Sequence, residues 1–188
     1  DNASLHRSQS ELDAAYAAEM VRQQVIAKFG LKAYTEGYTA ITTIDSSAQA
    51  SAVSAVQSGI RAYDKRHGYR GAERKNIDPT TWQETLRKTS TIGPLQPAIV
   101  SFVHDDRLIL LKKNGETTIL NWADGLDKLR LFKTVNAQSP LIDSAASVFE
   151  TGDLIRIEEH ENGRVTLSQI PLIQSAMVAL DPFNGAIR

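Results

Sequence analysis

Asn114-Gly115 and Asn162-Gly163 each divide a pair of short runs rich in Leu, Ile and Val. Asn-Gly between such runs is a strong local sign of a β-hairpin, and at Asn114-Gly115 the expected connection is a type I′ turn. The two hairpins anchor a longer pattern. Ala98–His104 reads as a strand, Asp105-Asp106 as a turn, Arg107–Lys113 and Glu116–Asn121 as the next two strands. Ala123–Phe132 reads as a short helix with Leu126, Leu129 and Leu131 as its apolar positions. A polar stretch containing Ser139-Pro140 runs to Thr151. Asp153–Glu159 and Arg164–Ile170 are then the fourth and fifth strands. Three strands in a meander, a helix and a hairpin is the element order of an OB-fold, a small, partly open five-stranded β-barrel. Its expected core is Ile99, Val103, Leu108, Leu110, Leu120, Ile155, Ile157, Val165 and Leu167.

The flanks read differently. A helix is expected from about Glu11 to Phe29, capped by Ser10 with Asp13 and stopped at Gly30. Its apolar stripe is Ala17, Met20, Val21, Val25 and Phe29, with Gln24 among them. Tyr38–Asp45 and Ser175–Asp181 read as strands, the second followed by a turn through Asp181-Pro182 and Asn184-Gly185. Asp45 is placed to cap a second helix reaching Arg66, with Gly68 as its stop. Residues 67–94 read as a hinge zone with a helix over Thr80–Lys88. The expected organisation is therefore α+β: a linker helix region over 1–37, a strand and hinge region over 38–94, the OB-like module over 95–171, and a last strand over 172–188. Both ends of the chain read as cut inside longer elements.

Composition removes several function classes. The 188 residues carry a net charge of −1, so no global field draws the chain to nucleic acid or an anionic membrane. Cysteine is absent, which excludes disulfides and thiolate metal sites. No apolar run approaches the ~20 residues of a membrane-spanning helix. His6, His67, His104 and His160 have no second ligand at metal spacing and read as turn or surface residues, so neither metal nor cofactor is expected.

Several tracts carry a family resemblance. Ala15–Arg22, Ala33–Tyr38 running into Thr42–Asp45, and Tyr63–Gly71 resemble successive tracts of the class A bifunctional penicillin-binding proteins of the 1A type in Gram-negative bacteria. So do Gln169–Gln174 and Ala176–Pro182 with Asn184–Arg188, which look like the first strand and turn of the transpeptidase domain. Ala15 stands where those proteins commonly have Pro, and Ser175 where they commonly have Gly. The resemblance implies a periplasmic fragment of a peptidoglycan synthase that is anchored in the inner membrane by a helix outside this chain. Its neighbours would be the glycosyltransferase and transpeptidase domains of the same protein. In some relatives this region docks an outer-membrane lipoprotein activator.

Neither active site of such an enzyme is encoded here, so no catalytic residue is expected. The transpeptidase needs a serine with a lysine three residues on, a Ser-x-Asn and a Lys-Thr-Gly. No serine in this chain has that lysine, Ser-x-Asn does not occur, and Lys88-Thr89-Ser90 and Lys133-Thr134-Val135 both lack the glycine. Three roles remain open. One is regulatory docking of a partner, with the loop-rich stretch Val135–Phe149 as the site and Val135, Gln138, Leu141, Ile142 and Phe149 as its residues. The second is a spacer that orients the catalytic domains. The third is single-strand nucleic-acid binding, which wants a basic groove interleaved with aromatics; in the β module only Lys112-Lys113 forms a basic pair. Asp105-Asp106 and Glu158-Glu159 read as turn and edge residues. Lys65, Arg66, Arg70, Arg74 and Lys75 read as a solvated linker, and Trp82 and Trp122 as packing residues. The apolar flanking strands are expected to seek pairing with another chain.

Overall fold

The structure is a computed structural model that describes residues 12–187. The chain divides into two compact units, one made of residues up to Ile60 together with Gln174 onward, the other of Arg61–Ile173.

In the first unit, α1 (Ala15–Phe29) is followed by a 3₁₀ turn (Gly30–Tyr34), and α2 (Ser46–His67) begins. Ser10 and Glu11 lie outside the described residues, and α1 starts later than expected, at an Ala14 N-cap that makes no side-chain bond. The start of α2 follows its expected cap: Asp45 Oδ1 accepts from the Ala48 N–H at 2.8 Å and the Ser47 hydroxyl at 2.7 Å. Those two donors hold the Asp45 carboxyl below its ordinary value. The expected strands Tyr38–Asp45 and Ser175–Asp181 form no ladder. An extended segment becomes a strand only when a neighbour takes its N–H and C=O groups. Here Thr43 Oγ1 bonds the Ile187 carbonyl at 2.9 Å, and Leu180 makes one isolated bridge to Ile187. The turn between them does form, with the Asp181 N–H donating to Ala186 and the Gly185 N–H to Asp181. No described residue of this unit is buried. Ile41 and Phe183 are each 95% exposed.

The second unit holds the core. Its strands are β1 (Leu95–Val103), β2 (Arg107–Lys112), β3 (Thr117–Asn121), β4 (Arg130–Thr134), β5 (Ala137–Leu141), β6 (Leu154–Glu159) and β7 (Val165–Ser168). Five of them make one antiparallel sheet in the order β3-β2-β1-β6-β7. The edge strands β3 and β7 lie against each other, so the sheet curls into a half-barrel. Arg164 beside β7 closes the gap, donating to Asp124 Oδ1 at 2.6 Å and the Ala123 carbonyl at 3.2 Å. The five expected strands and their order are those observed.

Alternation along the strands sorts the apolar residues onto two faces. Ala98, Val100, Leu108, Leu110, Leu120, Ile155, Ile157 and Val165 fill the barrel, with Val103 and Leu167 partly buried against them. Ile99 is the exception to the expected core. It points to the outer face, where it packs with Leu154 and with Leu86 of α3 (Trp82–Lys88). A single helix thus covers the outside of β1 and β6. Trp82 packs there too, with its Nε1 donating to the Ile77 carbonyl at 2.8 Å, and Trp122 packs against the barrel core.

Two further expectations are corrected. Residues 123–132 do not form a helix. A 3₁₀ turn (Trp122–Asp124) is closed by a reciprocal Asn121–Asp124 capping box and stopped at Gly125, whose φ is +121°. The chain then turns into the hairpin β4–β5, which occupies part of the stretch read as a polar loop. The turn at Asn114-Gly115 is not type I′ either, because Asn114 does not have positive φ. Gly115 alone has it, at +88°, and its N–H donates to the Lys112 carbonyl at 3.0 Å. That is a type I turn followed by a left-handed glycine bulge. The Asn162-Gly163 turn repeats it, with the Gly163 N–H on the His160 carbonyl.

Candidate functional site

The OB-like unit is pinned where the chain enters and leaves it. Asp64, in the last turns of α2, is buried and receives Arg70 Nη1 at 2.7 Å and Nη2 at 3.3 Å. The same Nη2 reaches the Ile170 carbonyl at 2.6 Å. Gln169 completes the clasp, accepting from the Arg70 N–H at 3.0 Å and donating to the Gly68 carbonyl at 2.9 Å. Residues 68–70 and 169–170, a hundred positions apart, are thereby side by side. Gly68 is needed at this point: its φ is +94°, and a Cβ there would lie 2.8 Å from the Phe132 nitrogen. Tyr69 is then threaded against β4, its N–H donating to Arg130 and its carbonyl accepting from Phe132.

A second clasp lies across the unit. Arg156, 4% exposed, donates to Glu73 at 2.7 and 3.1 Å and to the Ser90 carbonyl at 2.6 Å. The basic residues read together from sequence therefore separate. Arg70 is committed to Asp64, Arg74 makes a backbone bridge to Leu154, and Lys65 and Arg66 lie in the last turn of α2.

Among the described residues, two buried side-chain polar atoms have no hydrogen-bond partner, Tyr69 Oη and Asp153 Oδ1. Burial pushes the Tyr69 hydroxyl well above the ordinary tyrosine range, and the Asp153 charge adds to it. Burial likewise raises the Asp153 carboxyl, against the lowering effect of the Glu150 N–H that it accepts at 3.1 Å. Both groups are sealed inside the unit, away from any cleft where an acid or base would meet a substrate.

The five expected docking residues do not form one surface. Val135 is at the tip of the β4–β5 hairpin and is 67% exposed, and Leu141 is 46% exposed at its far end. Gln138 is half-buried and donates to the Arg66 carbonyl, and Ile142 is half-buried with its N–H on Leu129. Phe149 must be removed from the set. Its ring is 2% exposed in the barrel core, 5.5 Å from that of Tyr69, and cannot reach a partner without opening the unit. The misleading signal is loop position. A Phe with Ala145 and Val148 before it is a 3₁₀ turn's apolar plug, and that pattern is present in the sequence.

What sequence reasoning misses is the concavity between the end of α2 and the β4–β5 hairpin. It encloses about 430 Å³ and is lined by Arg66, His67, Arg130, Val135 and Gln138, among others. His67 stacks on Tyr63 at 4.1 Å, and its Nδ1 bonds the Tyr63 carbonyl. The His104 ring lies tilted against that of Phe102 and His160 bonds Thr166, so these histidines are surface residues held by neighbours, and His6 lies outside the described residues.

Residues 69–173 match the family of the penicillin-binding protein OB-like domain. The chain belongs to that family. The matched range falls inside the compact unit Arg61–Ile173. Over its whole length the chain is 40% identical to penicillin-binding protein 1A of Pseudomonas aeruginosa, covering 100% of this chain and 23% of that protein. It is 32% identical to penicillin-binding protein 1A of Escherichia coli, covering 99% of this chain and 22% of that one. The crystal structure of penicillin-binding protein 1A from Haemophilus influenzae superposes with a TM-score of 0.68 at 34% identity, over 96% of this chain and 26% of that chain. The OB-like domain and its flanks thus span about a quarter of the length of the relatives they match. Among the described residues, no helix is long and apolar enough to cross a membrane.

Proposed function

We propose that this chain is the docking segment of a peptidoglycan synthase, and that its OB-like domain holds a regulatory protein on the periplasmic side of the inner membrane. The parent protein would carry the glycosyltransferase and transpeptidase activities and the membrane anchor. The OB-like domain would add no chemistry of its own. A lipoprotein activator from the outer membrane is the partner that the family resemblance suggests.

The clasp at Arg70 carries this reading. A spacer separates what lies on either side of it, so its two ends should be far apart. Here residues 68–70 bond to residues 169–170. The unit is a side branch whose removal would bring the flanks no closer together than they already are. A side branch with a rigid core and no catalytic serine motif is suited to being held by something else. Partner binding would alter synthesis only by favouring one state of the catalytic domains over another.

The test is to replace residues 69–169 of the full-length synthase with a short Gly-Ser linker. Basal polymerisation and crosslinking of lipid-linked precursor should persist. Stimulation by an outer-membrane lipoprotein fraction of the same organism should disappear. If basal activities collapse in the absence of any partner, the unit is a spacer and the docking reading fails.

A further inference from the structure

We infer that the concavity between the end of α2 and the β4–β5 hairpin is the seat of an acidic peptide segment of the docked partner. This rests on the docking reading above and names the part of the surface that would perform it.

The lining is of one sign. Arg66 and His67 come from α2, and Arg130 comes from β4, a different element. No carboxylate lines the concavity, and among the described residues none reaches Arg66 or Arg130 within ion-pair distance. Cations in the last turn of a helix offset the negative end of its dipole, which accounts for Arg66 without any ligand. It does not account for Arg130, which sits on a strand and faces the same space.

The Arg130 guanidinium is also held in place, so little of its side-chain freedom is lost on binding. Arg130 Nη1 donates to the Ser139 carbonyl at 3.0 Å, which orients the group and leaves its other N–H donors free. Arg66 lies over the Tyr63 ring at 5.9 Å, and its carbonyl receives Gln138. The His67 Nδ1 donates to the Tyr63 carbonyl, so the donors that face a ligand are those of the two arginines.

The occupant's class follows from size and neighbours. Two arginine forks from two different elements match carboxylates, which accept such forks in the plane. The exposed Val135 on the hairpin tip offers an apolar contact beside them. The lining holds no Phe, Tyr or Trp on which a sugar polymer or nucleic acid would stack, and its one ring, the His67 imidazole, is stacked on Tyr63. An acidic peptide with an apolar residue next to its carboxylate fits all three features.

The experiment uses the whole chain and a fluorescein-labelled peptide of about ten residues made of Asp, Glu and Leu. A counterpart with Asn and Gln in place of the acids is the control, and soluble uncrosslinked glycan strands are the competing ligand. Binding is read by anisotropy, and the site by amide shifts in ¹⁵N spectra. The acidic peptide should bind about tenfold tighter than its amide counterpart, and R66E/R130E should weaken it about tenfold. R87E, a remote charge reversal on α3, should change it less than about twofold. Shifts should centre on residues 66–67, 130 and 134–138. Equal losses in R66E/R130E and R87E, shifts elsewhere, or tighter binding of glycan strands would overturn the inference. The two readings fail separately. If deleting the OB-like domain abolishes stimulation of the synthase but R66E/R130E does not weaken it, docking stands and this seat does not.

Discussion

Arg70 sits 2.7 Å from Asp64 and is the residue through which the end of α2 is tied to the far end of the OB-like domain, 100 positions later. Asp64 is itself buried, and among the described residues Arg70 is the cation paired with it. Breaking such a pair on one side leaves the other ion desolvated, which costs more than the pair contributes over an apolar replacement. Asp64→Ala should therefore lower the stability of the Arg61–Ile173 unit by about 3 kcal/mol. Chemical denaturation followed by fluorescence of Trp82 and Trp122 measures it. A loss under about 1 kcal/mol would mean that the clasp is a surface pair in energetic terms.

Gly68 lies beside that clasp and allows no side chain. The left-handed φ of +94° penalises any L residue, and the nearest obstacles are backbone atoms of Arg130, Leu131 and Phe132, which cannot rotate aside. Gly68→Ala should cost about 2 kcal/mol or more. Gly59, in α2, is the contrasting site, because a Cβ added there would meet nothing within 4 Å. Gly59→Ala should stabilise by about 0.5–1 kcal/mol. Thermal melts of the two variants moving in the same direction would refute the contrast.

Asp153 gives a pH signature. Burial raises its carboxyl above the ordinary 3.8, so the folded state binds the proton more tightly than the unfolded state. Stability from this group is fully present below pH 3.8 and is lost as pH rises through the raised value. Asp153→Asn removes the buried charge and keeps an acceptor for the Glu150 N–H. It should raise stability by about 1 kcal/mol at pH 7, and the gain should shrink as pH falls toward 4. Denaturation curves at the two pH values check the sign. A gain that grows in acid would show that the carboxylate is stabilised where it sits.

The fold is legible in the sequence where local chemistry and tertiary need agree. The Asn-Gly turns lie between strands whose inward residues share one face, and the register follows from that face. Ile99 reads as a barrel residue because a strand buried on both sides has no polar alternation to separate its faces. Leu126, Leu129 and Leu131 suggest a helix because their spacing suits one, yet Gly125 ends the first turn and the Arg130–Thr134 run pairs as a strand. The docking set fails at Phe149 for a similar reason, since a loop carries a core plug. The concavity near Arg66 cannot be read at all. It joins residues more than sixty positions apart, and the tracts are brought together by the backbone bonds of Tyr69 to Arg130 and Phe132 and by Gln138 on the Arg66 carbonyl.

Penicillin should not label this chain. Covalent labelling needs a serine activated by a nearby lysine amine, and no serine is followed by lysine at the third position. A fluorescent penicillin, followed by denaturing electrophoresis, should give no stoichiometric band. A band would reveal a nucleophile that the motif does not describe.

The buried residues of both apolar clusters lie within residues 69–165, and no described residue of the first unit is buried. A fragment of residues 61–173 should therefore fold alone, with the amide spectrum of the parent chain in its barrel signals. The matched family range opens at residue 69, which leaves out Asp64. A fragment of residues 69–173 retains every residue of the barrel core but strands Arg70, whose guanidinium is only about a fifth exposed in the parent, without its carboxylate. It should be less stable than the 61–173 fragment by about the same 3 kcal/mol as Asp64→Ala. Introducing Asp64→Ala into the 61–173 fragment should abolish most of the difference between the two. If the shorter fragment is as stable as the longer one, the end of α2 does not belong to the folding unit and the clasp is incidental to it.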